Sequence, residues 1–211
     1  MFDAAQLRQL IYPLIIEQVL AITVGMVDTV MISYAGEAAM SGVSLVDMIN
    51  NLLISVFAAI ATGGAVVISQ YLGSEDKGRA SQAASQLITV ATVIAAGFML
   101  LSIAGNRPIL SLLFGSIEAD VMESASIYFL ISAWSYPFLA VFNACAAIYR
   151  SMGNAKISME ISAGMNLFNA IGNAILIFGF SMGAAGAALS TFVARVLGAV
   201  VILVLVAASD N

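Results

Sequence analysis

IYPLIIEQVLAITVGMVDTVMIS, residues 11–33, is the stretch whose reading decides the fold. A helix of about 20 apolar residues, rising ~1.5 Å per residue, crosses the ~30 Å hydrocarbon core of a bilayer, and this stretch is long enough. It nonetheless carries two acids, Glu17 and Asp28. Their eleven-residue spacing amounts to about 1100° at ~100° per residue, which places them within about 20° of each other around one helix. An ionisable side chain inside a membrane is costly and marks a functional site by default. Pro13, near the start of the stretch, is positioned to bend the helix.

The rest of the chain agrees with a membrane setting. Of 211 residues, 62% are hydrophobic and only 9% charged, and the mean hydropathy is +1.04. Soluble domains run near 45–50% apolar with about 25% charged. The net charge of −5 comes from 7 basic and 12 acidic residues with no basic cluster, which excludes a nucleic-acid partner. There is no histidine, and the single cysteine, Cys145, lies in an apolar run and reads as a small buried hydrophobe. Neither a His- or Cys-ligated metal nor a prosthetic cofactor is expected. No nucleophile–base pair falls within the spans, so an enzyme is not expected either. The apolar stretch 11–33 exceeds a leader's hydrophobic region and is expected to persist as a membrane span.

Six hydrophobic spans are expected, at about 11–33, 43–71, 83–104, 121–149, 157–180 and 183–207. The fold class is therefore all-α, a polytopic transmembrane helical bundle. Loops rich in turn residues separate the spans: YAGEAAMSG, LGSEDKGRAS, GNRPILSLLFGSIEAD, RSMGNAK and FSMGAAG. The apolar middle of the third, 109–114, is too short to span and should lie along the interface, with Pro108 interrupting the helix before it. Arg8, Lys77, Arg79, Arg150 and Lys156 fall on one side of this arrangement, and only Arg107 on the other. The excess of cations places both termini in the cytoplasm and the chain in the plasma (inner) membrane. Tyr12–Pro13 in the first span is echoed by Tyr136–Pro137 in the fourth, where Pro137 should kink the helix.

Polar residues within the spans fall into patches. Asp47, Asn50 and Asn51 share a face of the second span at i, i+3 and i+4, and are candidates either to line a cavity or to sit at the interface. Asn166, Asn169 and Asn173 stack at i, i+3 and i+7 on the fifth. An amide in hydrocarbon must find a partner, so this face should look into the bundle. In the sixth span, Ser190 and Thr191 precede Arg195, which could pair with an acid or reach back to the cytoplasmic surface. The run GAAGAALS there invites close helix packing. Glu17 and Asn166 complete the candidates for cavity lining, while Glu160 reads as interfacial.

These motifs resemble, in order and along nearly the whole chain, the first half of a multidrug and toxic compound extrusion (MATE) transporter. The matching pieces are Pro13 and Asp28 of the first span with DTVMIS, then SQYLGSEDKGRA, RPILSLLFG, YRSMGNAK, NAIGNAILIFG and GAAGAALSTFVAR. The resemblance implies one six-helix lobe of a two-lobed transporter that expels cationic, often aromatic, small molecules in exchange for H⁺ or Na⁺. Carried over by motif, the coupling site is Asp28, Asn169, Asn173 and Thr191, with Pro13 at the bend of the first helix. One branch of the family has Asp where this chain has Asn173. The site then holds one formal negative charge fewer, which points to protons rather than to a sodium ion at Asp28. The family has two lobes, so the partner implied is a second six-helix lobe or a second copy of this chain. A lipid-linked glycan flippase of the wider superfamily, or a non-transporting membrane fragment or assembly partner, remain the alternative readings.

Overall fold

The structure is a computed structural model and describes residues 4–209. Eight α-helices follow one another: α1 (Ala4–Ser33), α2 (Glu37–Gly73), α3 (Lys77–Ala104), α4 (Asn106–Phe114), α5 (Ala119–Trp134), α6 (Tyr136–Ser151), α7 (Ala155–Asn173) and α8 (Gly183–Ser209). There is no strand among the described residues. Among the described residues five helices are long and apolar enough to cross a membrane, and α5 with α6, bent by 47° at their break, are together long and apolar enough for a sixth span. The chain is an all-α, multi-pass membrane protein.

The bend falls where the sequence places a proline. Pro137 opens α6, lacks an N–H for the preceding helix, and cannot extend α5 through the break. Ser135 fills the corner, its hydroxyl donating to the Ser132 carbonyl at 2.6 Å. Pro108 behaves otherwise than its sequence context suggests. It sits inside the first turn of α4, where the missing N–H has no intrahelical partner to lose. The segment 109–114 thus belongs to a short helix that buries Leu110 and exposes Leu112 and Leu113. α1 runs helical through Pro13.

α2 is the centre of the bundle, packing on α3, α5 and α6, while α8 packs on α5, α6 and α7. Phe57, Phe129, Tyr136, Cys145 and Ile202 are buried among them. α1 meets the bundle chiefly along α7 and leaves a face of Ile15, Val19, Ile22, Met26 and Val30 exposed. Two glycines permit the closest approaches. At Gly42 in α2 a Cβ would lie 2.7 Å from the Ala125 nitrogen and 3.0 Å from the Val121 carbonyl oxygen of α5. At Gly172 in α7 it would collide with the Ser190 hydroxyl of α8. The small-residue run of α8 therefore does bring helices together. The same close packing brings the polar faces of α7 and α8 within hydrogen-bonding reach of each other and of α1.

Candidate functional site

A cavity of about 570 Å³ lies between α1, α2, α5, α7 and α8. Asp28, Asp47, Asn50, Asn51, Asn166, Asn169, Asn173, Thr191 and Arg195 all line it. The face predicted on the fifth span is thus the wall of the cavity, because residues at i, i+3 and i+7 return to one side of a helix.

Asp28 is held from α7. Asn173 Nδ2 donates to its Oδ1 at 2.8 Å. Asn169, set with its amide nitrogen toward Asp28, donates to Oδ2 at 2.9 Å; its oxygen then accepts from the Thr191 N–H at 3.1 Å and the Thr191 hydroxyl at 2.9 Å. The opposite setting would turn that oxygen onto acceptors alone, so the network fixes the orientation. The Thr191 hydroxyl also lies 3.0 Å from the Ala187 carbonyl of its own helix, and the Ser190 hydroxyl donates across to the Asn169 carbonyl at 2.8 Å. One atom is left over: Asn173 Oδ1 is buried with no hydrogen-bond partner. Immediately beyond it α7 widens into a π-helical turn, Ala174–Gly179, a geometry that recurs beside functional sites.

A second network faces the same cavity. Asp47 Oδ1 accepts from the Tyr128 hydroxyl at 3.0 Å and from Asn50 Nδ2 at 3.4 Å. Asn50 Oδ1 accepts from the Tyr136 hydroxyl at 2.9 Å. Arg195 neither pairs with an acid nor reaches back to the surface; it donates from Nη1 to the Ser135 hydroxyl at 2.7 Å, at the α5–α6 corner. Among the described residues no carboxylate forms an ion pair with it. Asp28 and Asp47 are near enough to feel each other's charge.

Three expectations are corrected or extended. Glu17 does not line this cavity; it shares an angular position with Asp28, but eleven residues of rise separate them by ~16 Å. Its charge acts on Arg150 at the end of α6 instead. Asp47, on α2, lines the cavity and accepts a hydrogen bond from Tyr128 of α5. Tyr128, Tyr136 and Ser135 went unrecognised in the sequence, where a tyrosine in an apolar run reads as bulk and its hydroxyl as incidental. Their partners lie 81, 86 and 60 residues away, beyond any local pattern. Pro13 lines a separate pocket with Arg8, Tyr12 and Lys156.

The chain is similar to known proteins in sequence and in fold. Residues 13–175 match the MatE family model. The uncharacterized transporter YisQ of Bacillus subtilis (strain 168) is 32% identical over 204 residues, covering 95% of this chain and 44% of that protein. The probable multidrug resistance protein NorM of Thermotoga maritima is 27% identical over 201 residues, covering 92% of this chain and 42% of that protein. Among solved structures, a MOP superfamily transporter from Pyrococcus furiosus superposes with a TM-score of 0.87 at 19% identity, over 94% of this chain and 43% of that one. A MATE transporter in its bent conformation gives 0.85 at 19% identity, over 94% of this chain and 44% of that one. These structural likenesses show the fold, and the chain spans less than half the length of the relatives it matches. The family is one of transporters rather than enzymes. With the family model covering most of its length and the cavity walled by the polar residues of its first, fifth and sixth spans, the chain belongs to the MATE family of membrane transporters.

Proposed function

We propose that this chain is one lobe of a proton-coupled antiporter that exports organic cations, acting with a second six-helix lobe across a shared cavity. The observation that carries the reading is the cage around Asp28: both carboxylate oxygens accept an amide hydrogen from α7, at 2.8 and 2.9 Å. Amide donors suit a charged carboxylate and lose a partner when it takes up a proton. α1 meets the bundle chiefly along α7, so weakening that contact releases the helix that carries the acid. Proton binding and helix position are then linked, which is the free-energy coupling an antiporter needs. Asn173 Oδ1, which lacks a donor, could receive the O–H of protonated Asp28 after a half-turn of the amide.

Protons suit this cage better than sodium ions. A hard cation seeks several oxygen ligands, whereas Asn169 and Asn173 present nitrogens to Asp28, and the Asn169 oxygen is engaged by Thr191. Two carboxylates against one arginine also suit a cationic cargo more than the anionic headgroup of a lipid-linked glycan. The excess of Lys and Arg at the N-terminal segment and loops two and four supports cytoplasmic termini in the plasma membrane.

The test is transport by the assembled protein in proteoliposomes. An imposed pH gradient should drive ethidium movement, a sodium gradient should not, and Asp28→Asn should abolish it at unchanged protein level. Ethidium movement driven by sodium alone, or undiminished in D28N, overturns the proposal.

A further inference from the structure

We infer that Asp47 is the anchor for the positive charge of the transported organic cation, distinct from Asp28. The inference rests on the reading that the cavity carries such a cation. The two carboxylates share one cavity but are equipped differently. Asp28 has an amide donor on each oxygen. Asp47 receives both of its donors, the Tyr128 hydroxyl and Asn50 Nδ2, on Oδ1. Its Oδ2 accepts from no described residue, yet it is not among the enclosed atoms left without a partner, and so it opens into the cavity.

The charge of Asp47 is offset only at a distance: Arg195 is near enough to act on it, without direct contact. The one cation lining the cavity, Arg195, is turned to Ser135, and among the described residues Asp47 forms no ion pair. A half-buried carboxylate with one oxygen fixed and the other facing a cavity is arranged to receive a cation, because a charge-assisted contact in a site of low dielectric is about twice as strong as a neutral one. The same cavity is lined by Val43, Ile54, Met165 and Ala194, apolar surface for the body of an amphiphilic cation. The volume of about 570 Å³ falls within the range of ~300–1,000 Å³ that holds drug-sized molecules. Tyr128 and Asn50 act as positioning residues, since they hold Oδ1 and thereby aim Oδ2. The two acids then divide the work, Asp28 exchanging the coupling proton and Asp47 receiving the cargo.

Equilibrium binding of ethidium to the purified, assembled transporter tests this. Asp47→Asn keeps an oxygen for Tyr128 and Asn50 and should preserve the fold, but should weaken ethidium binding about tenfold or more. Asp28→Asn removes the same charge from the same cavity and controls for the general field. It should weaken binding markedly less. Unchanged affinity in D47N, or equal losses in D47N and D28N, overturns the assignment. In the unmutated protein, ethidium should shield Asp47 from carbodiimide labelling more than Asp28, as read by peptide mass spectrometry; the reverse order also overturns it. The two readings fail separately. Ethidium binding without proton release would contradict proton coupling at Asp28, while the D47N comparison would still decide the anchor.

Discussion

Gly172→Ala tests whether the close contact of α7 and α8 sets the geometry of the Asp28 cage. On helix propensity alone the change should help, since alanine is favoured over glycine by about 1 kcal/mol within a helix. The new methyl group, however, would collide with the Ser190 hydroxyl and stand 3.2 Å from Ser190 Cβ. If Ser190 rotates away, its 2.8 Å bond to the Asn169 carbonyl is lost, at about 1 kcal/mol. If α8 retreats instead, the Thr191 contacts to the Asn169 oxygen at 2.9 and 3.1 Å stretch as well, and the total loss rises to about 2–3 kcal/mol. After the propensity gain the net cost is near zero if Ser190 rotates and about 1–2 kcal/mol if α8 retreats. The second outcome is the one expected, because Ser190 is buried against α7. A cost of ~1.4 kcal/mol is tenfold in an equilibrium, so ethidium efflux should fall about tenfold at equal protein level. The decisive comparison is the double variant. Ser190→Ala removes the clashing oxygen, so G172A/S190A should recover much of the activity that G172A loses, whereas S190A alone should cost only the one hydrogen bond to the Asn169 carbonyl, about 1 kcal/mol. Full activity in G172A, or additive losses in the double variant, would refute the reasoning.

Other substitutions probe the scaffold around the cavity. Tyr136→Phe strips the donor from Asn50 Oδ1, a buried acceptor bonded at 2.9 Å, and should destabilise the lobe by about 1–3 kcal/mol, seen as a lower melting temperature in detergent; an unchanged melting temperature counts against the network. Gly42→Ala drives a methyl group against the backbone of α5, with the Ala125 nitrogen at 2.7 Å, and backbone cannot rotate aside. Its overpacking cost of about 1–3 kcal/mol should reduce the yield of monodisperse protein in size-exclusion chromatography, and normal yield would contradict the close approach.

Much of the cavity was legible because it follows from helical period. The i, i+3, i+7 spacing of Asn166, Asn169 and Asn173 places three amides on one side of a helix, and a polar side within a membrane must face protein. The same angular rule misplaced Glu17, because angle without height does not bring two residues into one site. The kink at Pro137 was readable from covalent geometry alone. Tyr128, Tyr136 and Ser135 were not readable, since nothing local distinguishes a tyrosine whose hydroxyl is buried on a distant acid from one that packs as a ring. Nor did the spacing of residues 174–179 announce a π-helical turn. Pro108 shows the converse: the residue type was plain, but its effect depended on whether it fell in the interior or the first turn of a helix.

The central claim is that Asp28 exchanges a proton for cargo. The most direct measurement is proton release from the purified, assembled transporter in weakly buffered detergent solution as ethidium is added. The account predicts that the unmutated protein releases protons in step with ethidium bound and that D28N binds ethidium without releasing any. Equal release from D28N, or ethidium binding to the unmutated protein with no release, would contradict it.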